Sequence, residues 1–206
     1  MCDAYKQNTD GTKIHDFSTI KKDLMIMEPS KFATKWFFDT CPFIFEDNEE
    51  EYIRWRHLIS QNIDVDPTDI IVTGSASLGV SFNPYKNFKF FDASSDIDIC
   101  IFSEYYFNVG WHDLRNYPRY GLTSQMQSAI KEHRKHYIYL GTIATDTILP
   151  LLSFGGKWGR IIPELCKSSR LIDHDIHFRI YKDRQAFRTY LLQSIEDRKR
   201  VILEGN

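Results

Sequence analysis

The feature that most constrains this chain is the run Ser95-Asp96-Ile97-Asp98-Ile99-Cys100-Ile101-Phe102, in which polar or small residues alternate with apolar ones. A period of two is the spacing of a β-strand, whose successive side chains point to opposite faces. The alternation predicts Asp96, Asp98 and Cys100 on one face and Ile97, Ile99 and Ile101 on the other. An isoleucine face of this kind requires an apolar layer against it. A chain of 206 residues with 42% hydrophobic and 26% charged residues has the length and balance of a soluble globular protein able to build that layer.

Other segments supply partners for the strand. Ile70-Ile71-Val72-Thr73 is a β-branched run ending at Gly74-Ser75, and Ile172 to Tyr181 alternates again. Helices are expected over Ser30–Asp39, with Phe32, Trp36 and Phe37 on one face, and after Asn48, which caps a first turn of Glu49, Glu50 and Glu51. Further helices are predicted from Ser103 to Arg115, from Thr123 to about Tyr139 and from Gln185 to Leu203, the last with a stripe of Phe187, Leu191, Ile195 and Ile202. Residues 1–29 read as a polar, poorly packed N-terminal arm, and 30–206 as a single domain. The order of elements predicts an α+β class with a mixed central sheet flanked by helices.

The remaining bulk properties exclude more than they assign. A formal net charge of −2 gives no overall attraction to nucleic acid or membrane, so a polyanion would need a local basic patch. Met1–Lys22 lacks an apolar stretch, so no secretory leader is expected, and no apolar segment is long enough to span a bilayer. Four cysteines lie far apart without metal-type pairing, and Cys100 reads as a core residue. A reduced, cytoplasmic setting is expected. The high aromatic content, 15%, is read first as core and second as an aromatic groove.

Two carboxylates projecting the same way from a strand stand roughly 7 Å apart. Their mutual repulsion is relieved by a cation. Mg²⁺, or Mn²⁺ in its place, suits hard oxygen ligands and leaves room for phosphates. The plainer alternative is a solvated strand face, but Asp is depleted in strands and here appears twice among isoleucines. Gly74-Ser75 is weak evidence by itself. After a strand, however, glycine lets the backbone approach a ligand, and freed N–H groups with a serine hydroxyl suit phosphate oxygens.

Together, Val72-Thr73-Gly74-Ser75-Ala76-Ser77-Leu78-Gly79 and Ser95-Asp96-Ile97-Asp98-Ile99-Cys100-Ile101 resemble the two motifs of the polymerase-beta-like nucleotidyltransferase superfamily. The likeness covers the central third of the chain. It implies that fold, a contact from Ser75 to a nucleotide phosphate, and Asp96 and Asp98 as metal ligands. It also implies a third carboxylate on a later strand, and there the chain departs from the pattern. In Asp173-His174-Asp175-Ile176-His177-Phe178-Arg179 the strand centre is flanked by His177 and Arg179. Asp175 is the first candidate for the third acid, against Asp173, Asp146 or no acid, and His177 is an alternative base. Lys157, Arg160 and Arg179 are candidates for holding a triphosphate. The basic cluster Lys131, His133, Arg134, Lys135 and His136 reads as a solvated face before an RNA contact. The segment Lys86 to Lys89 reads either as a cover over the nucleotide or as a plain connection.

The resulting expectation is Mg²⁺-dependent transfer of a nucleoside monophosphate from a nucleoside triphosphate to a hydroxyl on a protein, an RNA or a small molecule. A partner protein that supplies the acceptor surface is one possibility, because little chain remains after the third strand. The contrasting expectation is a non-catalytic nucleotide- or partner-binding module, such as one half of a bacterial defence or toxin–antitoxin pair. A metal-dependent phosphatase or nuclease is a weaker third.

Overall fold

The computed structural model describes residues 16–45, 48–117, 120–167, 171–172 and 174–204. Four strands form one mixed sheet: β1 (Ile70–Thr73), β2 (Ile97–Phe102), β3 (Thr142–Ala144) and β4 (Ile176–Tyr181), in the order β1-β2-β4-β3. β1 runs antiparallel to β2, with Thr73 opposite Asp98. β2 runs parallel to β4, with Asp98 opposite His177 and Cys100 opposite Arg179. β3 closes the far edge antiparallel to β4, with Ala144 opposite Arg179. The α+β class is as the order of elements predicts.

Ile97, Ile99 and Ile101 are fully buried. Each contributes about 1.5–3 kcal/mol on burial, so a one-residue slip, which would turn all three outward and the aspartates inward, is strongly disfavoured. Their layer is completed by α3 (Glu49–Ile63), α5 (Glu104–Asn116), α6 (Ser124–Glu132), α7 (Gly155–Gly159) and α8 (Ile162–Leu165), which contribute Trp55, Ile59, Phe107, Leu114, Ile130, Trp158 and Leu165. The predicted caps form. The Asn48 side chain accepts the Glu51 N–H, with three glutamates in the first turn of α3, and the Ser103 hydroxyl accepts the Tyr106 N–H at the start of α5.

The opposite face carries a second apolar layer of Ile71, Cys100, Phe102 and Tyr181, covered by α1 (Phe17–Ile26), α2 (Pro29–Ala33) and α9 (Arg184–Glu204). A π-helical segment, Thr34–Asp39, continues α2 and buries Trp36 and Phe37. The stretch read as a poorly packed arm therefore contains a packed helix from Phe17 onward. Asp16 accepts the Thr19 N–H as its cap, and Ile20 and Leu24 are buried. Two apolar residues one turn apart were enough for docking, although the surrounding sequence is mostly polar. A further difference lies after α6, where the expected long helix widens into a π-helical turn, His133–Tyr137, and leads into β3.

The second layer covers only part of its sheet face. α9 and its neighbours lie over Cys100, Phe102 and Tyr181, while Asp98 and His177, near the start of β2 and β4, and Arg179, midway along β4, remain half-buried. Asp173, one of the acids weighed for the third carboxylate, lies outside the described residues.

Candidate functional site

The uncovered part of the sheet is the floor of a cleft of about 560 Å³, a volume within the usual range of small-molecule sites. Thr73, Gly74, Ser75, Asp96, Asp98, Asp146, His177 and Arg179 all line it, brought together from four chain segments.

β1 ends where the ladder to β2 ends, and Gly74 turns the chain there with φ 68° and ψ −149°. That conformation is essentially restricted to glycine. The turn lies close beside Asp98: a Cβ at this position would be in ordinary contact, 3.4 Å from Asp98 Oδ2. Gly74 thus brings bare backbone against a carboxylate, and Ser75 opens the short helix α4 (Ser75–Leu78) beside it. Within that turn the Ser77 hydroxyl is buried and has no hydrogen-bond partner among the described residues.

Asp98 projects from β2 into the cleft, and Asp96 precedes the strand by one residue and is exposed. The peptide around Asp96 is held on both sides. His174 Nδ1 donates to Ser95 O at 2.7 Å, and Ile97 N–H donates to Asp175 O at 2.8 Å. The loop before it is tied by Asp92, whose Oδ1 accepts Ser94 N–H at 2.9 Å and Lys89 Nζ at 3.2 Å. The Ser94 hydroxyl above all, with the Ser94 amide and Lys89, holds the Asp92 carboxyl down at about 2. Lys86 and Lys89 line this rim. Phe88 between them is packed inward, with the Arg198 guanidinium 4.0 Å over its ring, so the segment is an anchored wall of the cleft.

Arg179 reaches from β4 toward the start of β2. Its Nε donates to Asp98 Oδ1 at 3.0 Å, and its Nη2 lies 3.5 Å from Asp146 Oδ2. His177 Nδ1 lies 3.8 Å from the other oxygen of Asp146. Burial opposes the arginine's charge, but the carboxylates of Asp98 and Asp146 outweigh it and raise the guanidinium pKa. Asp146 is placed by Thr145, which extends the β3–β4 pairing beyond β3. Thr145 N–H and Oγ1 both donate to Phe178 O, at 3.0 and 2.9 Å, and Oγ1 accepts Phe178 N–H at 3.2 Å.

Three expected site residues stand apart. Lys157 is exposed on α7, whose Trp158 is buried in the isoleucine-side layer, and it does not line the cleft. Arg160 is turned back on its own helix, with Nε donating to Gly156 O at 3.0 Å. Asp175 is exposed just before β4 and also does not line the cleft; its charge is felt by Cys166, whose thiol is raised by burial first and Asp175 second. Alternation fails for Asp175 because the strand starts one residue later. Of the acids weighed for the third position, Asp146 is the one in the cleft among the described residues. In the basic cluster at the end of α6 and in the π-helical turn after it, His133 is buried and Arg134 donates to Leu114 O at 2.9 Å, which leaves Lys131, Lys135 and His136 on an exposed face.

Sequence reasoning gave no role to Tyr137, Tyr190 or Asp197, which also line the cleft. No local pattern marks them, because the π-helical turn and α9 reach the site only through packing. Among the described residues, no group of three or more His, Cys, Asp or Glu side chains is arranged to hold a metal ion. Two carboxylates nevertheless fit Mg²⁺, which typically binds through one or two of them together with substrate phosphates and water. No helix among the described residues is long and apolar enough to cross a membrane. Compared with known proteins, the chain matches no family model, no curated protein and no solved structure.

Proposed function

We propose that the cleft binds a nucleoside triphosphate and transfers its nucleoside monophosphate to a hydroxyl acceptor. The observation that carries this reading is the contact of the Gly74 turn with Asp98, in a cleft that Asp96 also lines. Bare backbone beside paired carboxylates is the arrangement a phosphate and its divalent cation require.

On this reading Asp96 and Asp98 hold Mg²⁺ or Mn²⁺, which when bound neutralises phosphate charge. The Gly74-Ser75 turn receives phosphate oxygens, and Lys86, Lys89 and Arg179 balance the remaining charge. The acceptor oxygen forms a bond to the α-phosphorus, the bond from that phosphorus to the bridging oxygen breaks, and pyrophosphate leaves. Asp146, rather than Asp175, stands where it can take the hydroxyl proton. The acceptor class, whether protein, RNA or small molecule, is open to the same experiment. Incubation with each α-labelled triphosphate, Mg²⁺ or Mn²⁺ and cell extract is expected to label one fraction, and Asp96→Ala/Asp98→Ala is expected to abolish the label. Persistence of label in the double variant would sink the assignment.

One observation favours a second reading. Arg179 already neutralises Asp98 at 3.0 Å, as suits a non-catalytic nucleotide- or partner-binding module of a paired bacterial defence or toxin–antitoxin system. Nucleotide retention without label transfer to any fraction distinguishes it.

A further inference from the structure

We infer, on the nucleotide-binding reading of the cleft, that Arg179 is an internal counter-cation that exchanges the carboxylates of Asp98 and Asp146 for the phosphates of a bound nucleotide, so that divalent-cation binding at Asp96 and Asp98 depends on that nucleotide. The guanidinium is committed to the very carboxylate a cation would use: its Nε lies 3.0 Å from Asp98 Oδ1. A guanidinium does not release its charge by losing a proton in a protein. A dication arriving alone must therefore either coexist with a positive charge on the same carboxylate or displace it.

Displacement needs another anion to receive Arg179, and the geometry leaves the side chain ready for one. Asp98 and Asp146 are contacted through Nε and Nη2 respectively, the second at 3.5 Å, so neither carboxylate receives the paired, parallel contact that a guanidinium prefers. Nη1 has no partner among the described residues, and the side chain lines the cleft. Phosphate oxygens offer the bidentate match that these two carboxylates do not. The other oxygen of Asp98, Oδ2, faces the Gly74 turn, where a Cβ would be 3.4 Å away. A phosphate seated on that turn lies beside Asp98 and draws the guanidinium off it. Departure of Arg179 also leaves Asp98, Asp146 and Asp96 unneutralised around one space, which is what then attracts the cation.

The coupling is reciprocal, and two binding measurements on the full chain test it without reference to turnover. Mn²⁺ affinity in the absence of nucleotide is read from the electron paramagnetic resonance of the free ion. Affinity for a fluorescent triphosphate is read by anisotropy in EDTA. Removing the resident cation with Arg179→Gln is expected to tighten nucleotide-free Mn²⁺ binding by about tenfold and to weaken metal-free nucleotide binding by a similar factor, within the range of coupled sites. Arg179→Lys, which keeps the charge, is expected to bind Mn²⁺ as weakly as the wild type and controls for loss of fold. Unchanged or weaker Mn²⁺ binding in Arg179→Gln, with its far-UV circular dichroism intact, overturns the exchange. If instead the Mn²⁺ result holds but no triphosphate binds the wild type with or without Mn²⁺, the nucleotide-exchange proposal fails together with the nucleotide reading, and Arg179 is left as a guard on a cation site alone.

Discussion

At the scale of single residues the site turns on Gly74, whose backbone conformation brings the turn beside Asp98. Its backbone, at φ 68° and ψ −149°, is one that side chains rarely adopt, while the place of its absent Cβ is at ordinary contact distance, 3.4 Å, from Asp98 Oδ2. Gly74→Ala is expected to cost about 1–3 kcal/mol through the backbone. Gly156→Ala is the control: nothing lies within 4 Å of its would-be Cβ, and it sits in α7. Alanine there should leave stability unchanged or raise it by about 0.5–1 kcal/mol. Thermal unfolding of both variants decides the matter, and equal midpoints would show that the Gly74 conformation is not needed. Gly74, Ser75, Asp96 and Asp98, each marked in the sequence by its immediate neighbours, all line the cleft. Lys157 and Asp175 were misplaced because composition and extrapolated alternation do not say which side of the sheet a flanking residue reaches.

Elements show the same division between local and long-range information. β1, β2 and β4 announce themselves through β-branched residues and period-two spacing, and α3, α5 and α9 through caps or an apolar stripe. β3 does not. Thr142-Ile143-Ala144 is too short to carry a pattern, and it is a strand because β4 offers it an edge. What makes that short edge functional is Thr145. Its backbone and hydroxyl make three hydrogen bonds to Phe178, at 2.9 to 3.2 Å, and the next residue is Asp146. Thr145→Val keeps the shape but leaves the buried Phe178 N–H without its acceptor, a loss of about 1–3 kcal/mol. At about 2–4 °C per kcal/mol for a chain of this size, differential scanning calorimetry should register a clear fall in midpoint. If Thr145→Val instead melts with the wild type, the hydroxyl does not anchor the Asp146 loop.

For the whole molecule, the cleft exists because one layer covers its sheet face completely and the other does not, and the two are tied to the site by buried polar groups. His133 is such a tie. It comes from the π-helical turn after α6, its Nδ1 lies 2.7 Å from Ala129 O, and its Nε2 lies 3.1 Å from Ala144 N and 2.9 Å from Ala144 O. With Nδ1 donating to Ala129 O, Nε2 accepts the Ala144 N–H only while the ring is neutral, whereas a protonated ring would turn Nε2 to Ala144 O. Protonation would put a charge in a buried place and turn the acceptor of the Ala144 amide into a donor. Burial is the main cause that lowers its pKa below the ordinary imidazole value, with the carbonyls of Ala129 and Ala144 acting in the opposite direction. In the unfolded chain His133 titrates near about 6.5, so below that pH the unfolded state binds the extra proton and the folded state resists it. Stability from this group is therefore complete above about 6.5 and is lost progressively as pH falls from there toward the lowered folded value. Urea unfolding at about pH 7.5 and about pH 5.5, on either side of the unfolded value, should show the wild type losing stability on acidification. His133→Gln, which cannot titrate, should be less stable than the wild type at the higher pH and lose less between the two. A gap between the two proteins that stays constant across that interval would mean the buried imidazole contributes packing without proton linkage.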